Sequence, residues 1–216
     1  MNANLSRLGA AVMLAGVLAV TVSACAPLVL GGAVGGAFVV TDRRTSGSQL
    51  EDQGIELKAE RRVRENLGDK VHVNVSAYNR VVLITGEVPG EGERQAVEKW
   101  VASTENVQSV VNELAIMGSS SITARSSDVI VANKVRFTLV DARDLQSNAF
   151  KVVVERGEVF LMGMVTEREA NRAAELASTV SGVQKVVKVF HIISEAELAA
   201  KLPPPSPASA AAPATR

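Results

Sequence analysis

The sequence predicts an α+β fold of two tandem domains, each in the order α-β-β-α-β, with two helices packed on one face of a small mixed three-stranded sheet. Two observations predict it. A block recurs within the chain. Val81–Val88 reads VVLITGEV and leads through a helical pattern to VQSVVNEL at 107–114, while Glu158–Val165 reads EVFLMGMV and leads through a similar pattern to VQKVVKVF at 183–190. Gly86 recurs at Gly163 and Val107 at Val183, with spacings that differ by one residue, so the block is an internal duplication. Within each copy, apolar residues alternate with a period of two and then recur with a helical period, so strands and helices are interleaved.

Composition narrows the function. Of the 216 residues 47% are apolar but only 3% aromatic, which predicts a core of Val, Leu, Ile and Ala. Basic and acidic residues balance at 23 each, so the bulk charge gives no sign of a nucleic-acid partner. One Cys and two distant histidines, His72 and His191, predict no disulfide, no metal ligand spacing and no cofactor.

The elements follow in order. Arg7 precedes an apolar run at 8–22 that is short for a bilayer span, the pattern of a secretory signal, here residues 1–24. It ends in Val22-Ser23-Ala24-Cys25, which resembles the lipobox of bacterial lipoproteins, where cleavage precedes a Cys that carries diacylglycerol and is N-acylated, as with palmitate. An ordinary cut after Ala26 would leave Pro27 first, an unfavourable start, so Cys25 is the expected lipid anchor. At about 0.8 kcal/mol per buried methylene, several acyl chains hold a protein on a membrane without help from its fold. Ala26 rather than Asp follows the Cys, which in the enterobacterial sorting rule implies release to the outer membrane. Residues 25–47, broken by Gly31, Gly32, Gly35 and Gly36, read as a flexible tether, with an apolar segment lying on the membrane as the alternative.

The first domain is expected at 48–117. Ala59, Val63 and Leu67 mark a helix at 57–67 that Gly68 stops. Residues 71–77 and Val81–Val88 alternate and form a hairpin about Tyr78-Asn79-Arg80, a helix at 93–104 buries Ala96, Val97, Trp100 and Val101, and a strand closes at 107–117. A polar linker at 118–126 precedes the second domain at 127–194. There Ser127 or Asp128 caps a helix running to about 140, strands at Phe150–Glu155 and Glu158–Val165 flank the turn Arg156-Gly157, and a helix at 167–179 and Gly182 lead to a strand at 183–193. Residues 195–216, Pro/Ala-rich beyond Leu202, read as a mostly disordered tail.

The pattern of strand, Gly-x-Val, amphipathic helix and Gly-Val-x-x-Val strand resembles the BON domain. It is carried by Gly86-Glu87-Val88 with residues 107–114, and by Gly163-Met164-Val165 with residues 182–190; Asn106 stands where the second copy has Gly182. A lipobox followed by two such domains is similar to a group of Gram-negative lipoproteins. The resemblance implies a non-enzymatic outer-membrane lipoprotein facing the periplasm, whose second domain binds anionic phospholipid such as phosphatidylglycerol or cardiolipin, and which supports envelope integrity linked to division or envelope stress. The alternative is a periplasmic adaptor for an envelope-assembly or cell-wall-remodelling partner.

Comparing the two copies selects the site. Placing Lys134-Val135-Arg136 on Arg62-Val63-Arg64 superposes the core stripe, Val131, Val135 and Leu139 on Ala59, Val63 and Leu67, and sets Ile130, Lys134 and Phe137 on Lys58, Arg62 and Glu65. A charged face becomes apolar and basic, which suits a helix at a membrane interface. Ile130, Lys134, Arg136 and Phe137 are the candidate phospholipid-binding residues, with Arg143 in a following insertion at 140–148; packing of Ile130 and Phe137 against the first domain is the competing reading. Domain charge agrees with lipid: residues 50–117 carry 8 basic and 12 acidic residues, residues 125–195 carry 10 and 9. No catalytic residue is expected. His72 and His191 lie in strands, the Ser-rich 119–127 stretch lacks a nucleophile turn, and Glu91/Glu93 and Glu167/Glu169 suit helix N-termini.

Overall fold

The computed structural model describes residues 42–68 and 71–201, so Cys25, the signal region and most of the expected tether lie outside the described residues. The first repeat contains α1 (Ser46–Leu67), β1 (His72–Tyr78), β2 (Val81–Val88), α2 (Glu91–Ala102) and β3 (Ser109–Ile116). The second contains α3 (Ile122–Asp141), a 3-10 turn (Ser147–Ala149), β4 (Phe150–Glu155), β5 (Glu158–Val165), α4 (Glu167–Ser178) and β6 (Lys185–Ile192), and α5 (Glu195–Lys201) follows. In each sheet the central strand pairs antiparallel with the strand before it and parallel with the strand after α2 or α4, so both are mixed and three-stranded, as expected.

Both hairpins turn through two residues of positive φ, Asn79 (50°) and Arg80 (68°), then Arg156 (53°) and Gly157 (73°). Three of these four carry side chains, so the conformation needs support from outside the turn. A buried aspartate supplies it. Asp52 on α1 accepts the Asn79 and Arg80 N–H groups at 2.7 and 2.8 Å, and Asp128 on α3 accepts those of Arg156 and Gly157 at 2.9 and 2.8 Å. Asp128 therefore holds a hairpin rather than capping a helix. The caps are Thr45 and Ser121, whose side chains accept from Ser48 N and Ala124 N, and both first helices begin well before the sequence reading placed them. Asn106 (φ 69°) and Gly182 (φ 99°) share the left-handed region at the last crossover, where Asn stands in for Gly.

Equivalent caps and equivalent turn aspartates fix the correspondence of the repeats, and it differs by one helical turn from the sequence comparison. Ile55, Ala59 and Val63 stand where α3 has Val131, Val135 and Leu139, and the insertion at 140–148 shrinks to one residue. A slip of four residues keeps nearly the same helix face inward, so the core stripe alone could not reveal it.

Among the described residues three large clusters make up most of the core, with a small fourth at Ala149, Val165 and Ala170. Ile55, Ala59 and Val63 of α1 and Val97 and Val101 of α2 pack on Val82, Ile84 and Val88. Val131, Val135 and Leu139 of α3 with Ala173 and Ala177 of α4 pack on Val152, Val159 and Leu161. The other faces of the two sheets meet through Tyr78, Leu83, Phe160, Met162 and Met164, joined by Ile193 and by Leu198 of α5. The central strands are thus covered on both faces, which explains their nearly unbroken apolar runs. Two expected boundaries change. Residues 195–201 form a helix rather than tail, and Arg43, in the expected tether, is buried in the second domain. Its guanidinium donates to both Glu169 carboxylate oxygens at 2.8 and 2.7 Å and to Met164 O at 2.9 Å.

Candidate functional site

α3 owes its place to Val131, Val135 and Leu139, which it buries on β4 and β5. Its opposite face is open. Ile130 is 57% and Phe137 74% exposed, and Ile122, Val129 and Val140 are also more than half exposed. That degree of exposure excludes interdomain packing of Ile130 and Phe137. At 100° per residue the five apolar side chains fall within about 100° of arc and extend over about 27 Å of helix. Ser126 and Asn133 interrupt the stripe, while Lys134 borders one side and Arg136 the other. Ile122, Val129 and Val140 were missed from the sequence because the helix was started too late and its outward arc was read too narrowly.

The corrected correspondence sharpens the contrast between copies. Ile122, Val129, Ile130, Phe137 and Val140 stand where α1 has Ser46, Gln53, Gly54, Arg61 and Arg64. Lys134 corresponds to Lys58, and their partners differ. Lys58 Nζ pairs with Glu105 at 2.8 Å, but at the position of Glu105 the second copy has Ser181, whose hydroxyl lies 3.1 Å from Lys134 Nζ. Arg136 donates to Val152 O at 3.0 Å and to Asn133 Oδ1 at 3.1 Å. Among the described residues neither cation pairs with a carboxylate. Arg143 makes no ion pair among them either. An apolar stripe flanked by cations without counter-charges can enter an acyl boundary and hold phosphate at the same depth.

A second polar group lies between the domains, where the sequence reading expected no ligand set. His72 and Glu87 are cross-strand partners on β1 and β2, and Glu155 of β4 faces them. Glu87 and Glu155 are buried, and His72 Nε2 lies 3.6 Å from Glu155 Oε1. Asn74 Nδ2 is 3.2 Å from that nitrogen and donates to Glu155 Oε2 at 3.0 Å. Glu87 accepts from Ser120 N at 3.2 Å and from Arg156 Nη1 at 3.4 Å, and the same Nη1 donates to Gly86 O at 3.0 Å. Burial, with nearby Arg125 and Arg156, holds the His72 imidazole below its usual pKa against the pull of Glu87. Burial raises the Glu155 carboxyl, and Glu87 and Asp128 add to this against the Asn74 hydrogen bond and Arg156.

No described helix is long and apolar enough to cross a membrane. Comparison with known proteins gives the family. The BON domain matches residues 52–118 and again residues 127–194. Outer membrane lipoprotein DolP of Haemophilus influenzae is 38% identical over 169 residues, covering 77% of this chain and 87% of the relative. The 21 kDa hemolysin of Actinobacillus pleuropneumoniae is 29% identical over 154 residues, 70% of this chain and 79% of the relative. Among solved structures, CdsD, a structural protein of the type III secretion system of Chlamydia trachomatis, is 11% identical over 70% of this chain and 96% of that one, with a TM-score of 0.26. The chain's place is the outer membrane, where a lipid anchor holds it. With two copies of the module in tandem, the chain belongs to the BON domain family.

Proposed function

We propose that this outer-membrane lipoprotein is not an enzyme, that Cys25 carries its lipid anchor on the periplasmic face, and that its second BON domain, at about 127–194, docks on anionic phospholipid. Phosphatidylglycerol and cardiolipin are the headgroups in view. Ile130 and Phe137, with Ile122, Val129 and Val140, enter the acyl boundary, and Lys134 and Arg136 meet phosphate. Docking of this kind serves outer-membrane integrity during division or envelope stress. The observation that carries the reading is Lys134 beside the exposed stripe, bonded to the Ser181 hydroxyl and without a carboxylate among the described residues, in contrast to Lys58, which Glu105 neutralises.

Vesicle sedimentation tests it. Residues 40–216, which keep Arg43 and the rest of the described fold, are expected to sediment with phosphatidylglycerol vesicles and not with zwitterionic ones. Ile130→Glu is expected to release the protein. Absence of binding, or binding unaffected by that substitution, rejects the lipid reading. One observation favours the adaptor alternative. Leu50 and Leu57 are exposed on the outward face of α1, where the second copy has Ser126 and Asn133. A protein partner held by the first domain would depend on Leu57 and not on Phe137.

A further inference from the structure

The interface between the sheets has two ends built from equivalent positions, and their chemistry differs. At one end Tyr78 of the first domain meets Ala149 and Met164 of the second, and its hydroxyl lies 3.5 Å from Ala149 O. At the other end the equivalent positions hold Glu155 of the second domain with His72 and Glu87 of the first. The fold therefore accommodates an apolar group in this setting, yet here it buries two carboxylates and an imidazole. Thr85 departs in the same direction. It stands where the second domain has Met162, and its register partner is Asn74, so strand alternation sets Thr85, Glu87, His72 and Asn74 on one face as a four-residue patch. Thr85 is 1% exposed and its hydroxyl finds no partner among the described residues.

We propose that His72, Glu87 and Glu155 form a binding site for a divalent transition-metal ion, best suited to Zn²⁺, which joins the β1/β2 hairpin of the first domain to β4 of the second. One imidazole nitrogen and two carboxylates are a donor set that Zn²⁺ accepts, and a water completes four-coordination, with the unpartnered Thr85 hydroxyl on the same sheet face to hydrogen-bond it. The donor atoms already lie within 4.8 Å of one another. A tetrahedral zinc with bonds of about 2.0–2.1 Å needs them about 3.3 Å apart, a gap that side-chain rotation closes. When the ion binds, the Nε2 lone pair of His72 turns from the Asn74 amide, 3.2 Å away, to the metal, and Asn74 keeps its hydrogen bond to Glu155 Oε2. Arg156, whose contact with Glu87 is the longer of its two, keeps Gly86 O when Glu87 turns to the metal.

The test uses the mature lipoprotein, untagged, purified in detergent and stripped with EDTA. ZnCl₂ is titrated by calorimetry, and thermal unfolding is followed with and without it. Interference is small, since the chain's only other histidine is His191 and its single Cys is the acylated residue. One ion per chain and a raised Tm are expected, with at least a tenfold loss of zinc affinity in His72→Ala and in Glu155→Gln. Both variants should unfold near the parent temperature without metal, since His72 lies at a strand start and the amide oxygen introduced by Glu155→Gln can still accept from Asn74. Failure of the parent protein to bind zinc overturns the proposal, as does zinc binding that either variant retains undiminished. In that case the cluster is a hydrogen-bonded joint between domains that takes no ion. Vesicle binding plays no part in the result, so it stands or falls apart from the lipid reading.

Discussion

Phe137→Ala and Lys134→Glu remove the two halves of the proposed lipid contact, and salt tells them apart. Full burial of a Phe side chain is worth about 1.5–3 kcal/mol. With 74% of Phe137 still open to solvent, about three quarters of that remains to be gained at a membrane, or roughly 1–2 kcal/mol. Phe137→Ala should therefore weaken binding to phosphatidylglycerol vesicles about 5- to 30-fold. Lys134→Glu changes the local charge by two, and at about 1 kcal/mol per charge near an anionic surface it costs about 2 kcal/mol at low salt. Raising the salt shortens the screening length and should shrink the Lys134 effect while leaving the Phe137 effect in place. Sedimentation at 50 and 500 mM salt reads both. Neither side chain is in the core, so thermal unfolding of both variants should match the parent within about 0.5 kcal/mol. An unchanged affinity in Phe137→Ala, or equal salt dependence of the two variants, would refute the reasoning.

Three further outcomes are expected. Burial is the largest single influence on Glu169 and opposes its charge, but the Arg43 hydrogen bonds, the Thr166 N–H and the charges of Arg43 and Arg168 together outweigh it and leave its pKa lowered, so its stabilisation is complete above the ordinary glutamate pKa and is lost as pH falls through the native value. Glu169→Gln should cost about 3 kcal/mol in urea unfolding at pH 7 and pH 5, and less at pH 3; a cost that stays flat to pH 3 would contradict this. Gly86 has φ +117°, and a Cβ there would sit 1.9 Å from His72 O, so Gly86→Ala should destabilise by about 4 kcal/mol or more. Gly92→Ala, in open space on α2, should instead stabilise slightly, and parity between these two glycines in urea unfolding would count against the clash. Cys25→Ser should leave the protein unprocessed or soluble on fractionation, whereas a membrane-bound, acylated variant would remove Cys25 as the anchor.

Much of the fold was legible because the repeat is local and regular. Gly86 and Gly163 mark close approaches of the backbone, to His72 O and Ala149 O, and Asn79-Arg80 and Arg156-Gly157 lie between alternating runs. The helix starts were less legible. Asp52 and Asp128 are buried polar residues that break the apolar period, and Leu50 and Leu57 are apolar residues that face water, so periodicity pointed to the wrong turn. The site was partly legible. Ile130 and Phe137 stood out as apolar on a helix with cations beside them, but the loss of the counter-charge to Lys134 depends on Glu105 and Ser181, each 47 residues from its lysine. His72, Glu87 and Glu155 could not be assembled from the sequence at all, because their meeting depends on how one sheet faces the other.

Arg43 decides where tension on the chain is borne. A pull arriving from the N-terminal side reaches Arg43 before it reaches α1, and Arg43 is gripped by Glu169 and the Met164 carbonyl in the second domain. The load thus enters α4 and β5 of the second domain at Arg43, while the adjacent Arg44 shares it with Asp52 and Tyr78 of the first. The part of the protein whose α3 face is proposed to touch lipid is also the part that Arg43 grips. Trimming the chain at residue 48 would cut that path and leave Glu169 buried without its cation, so neither repeat is a free-standing mechanical unit.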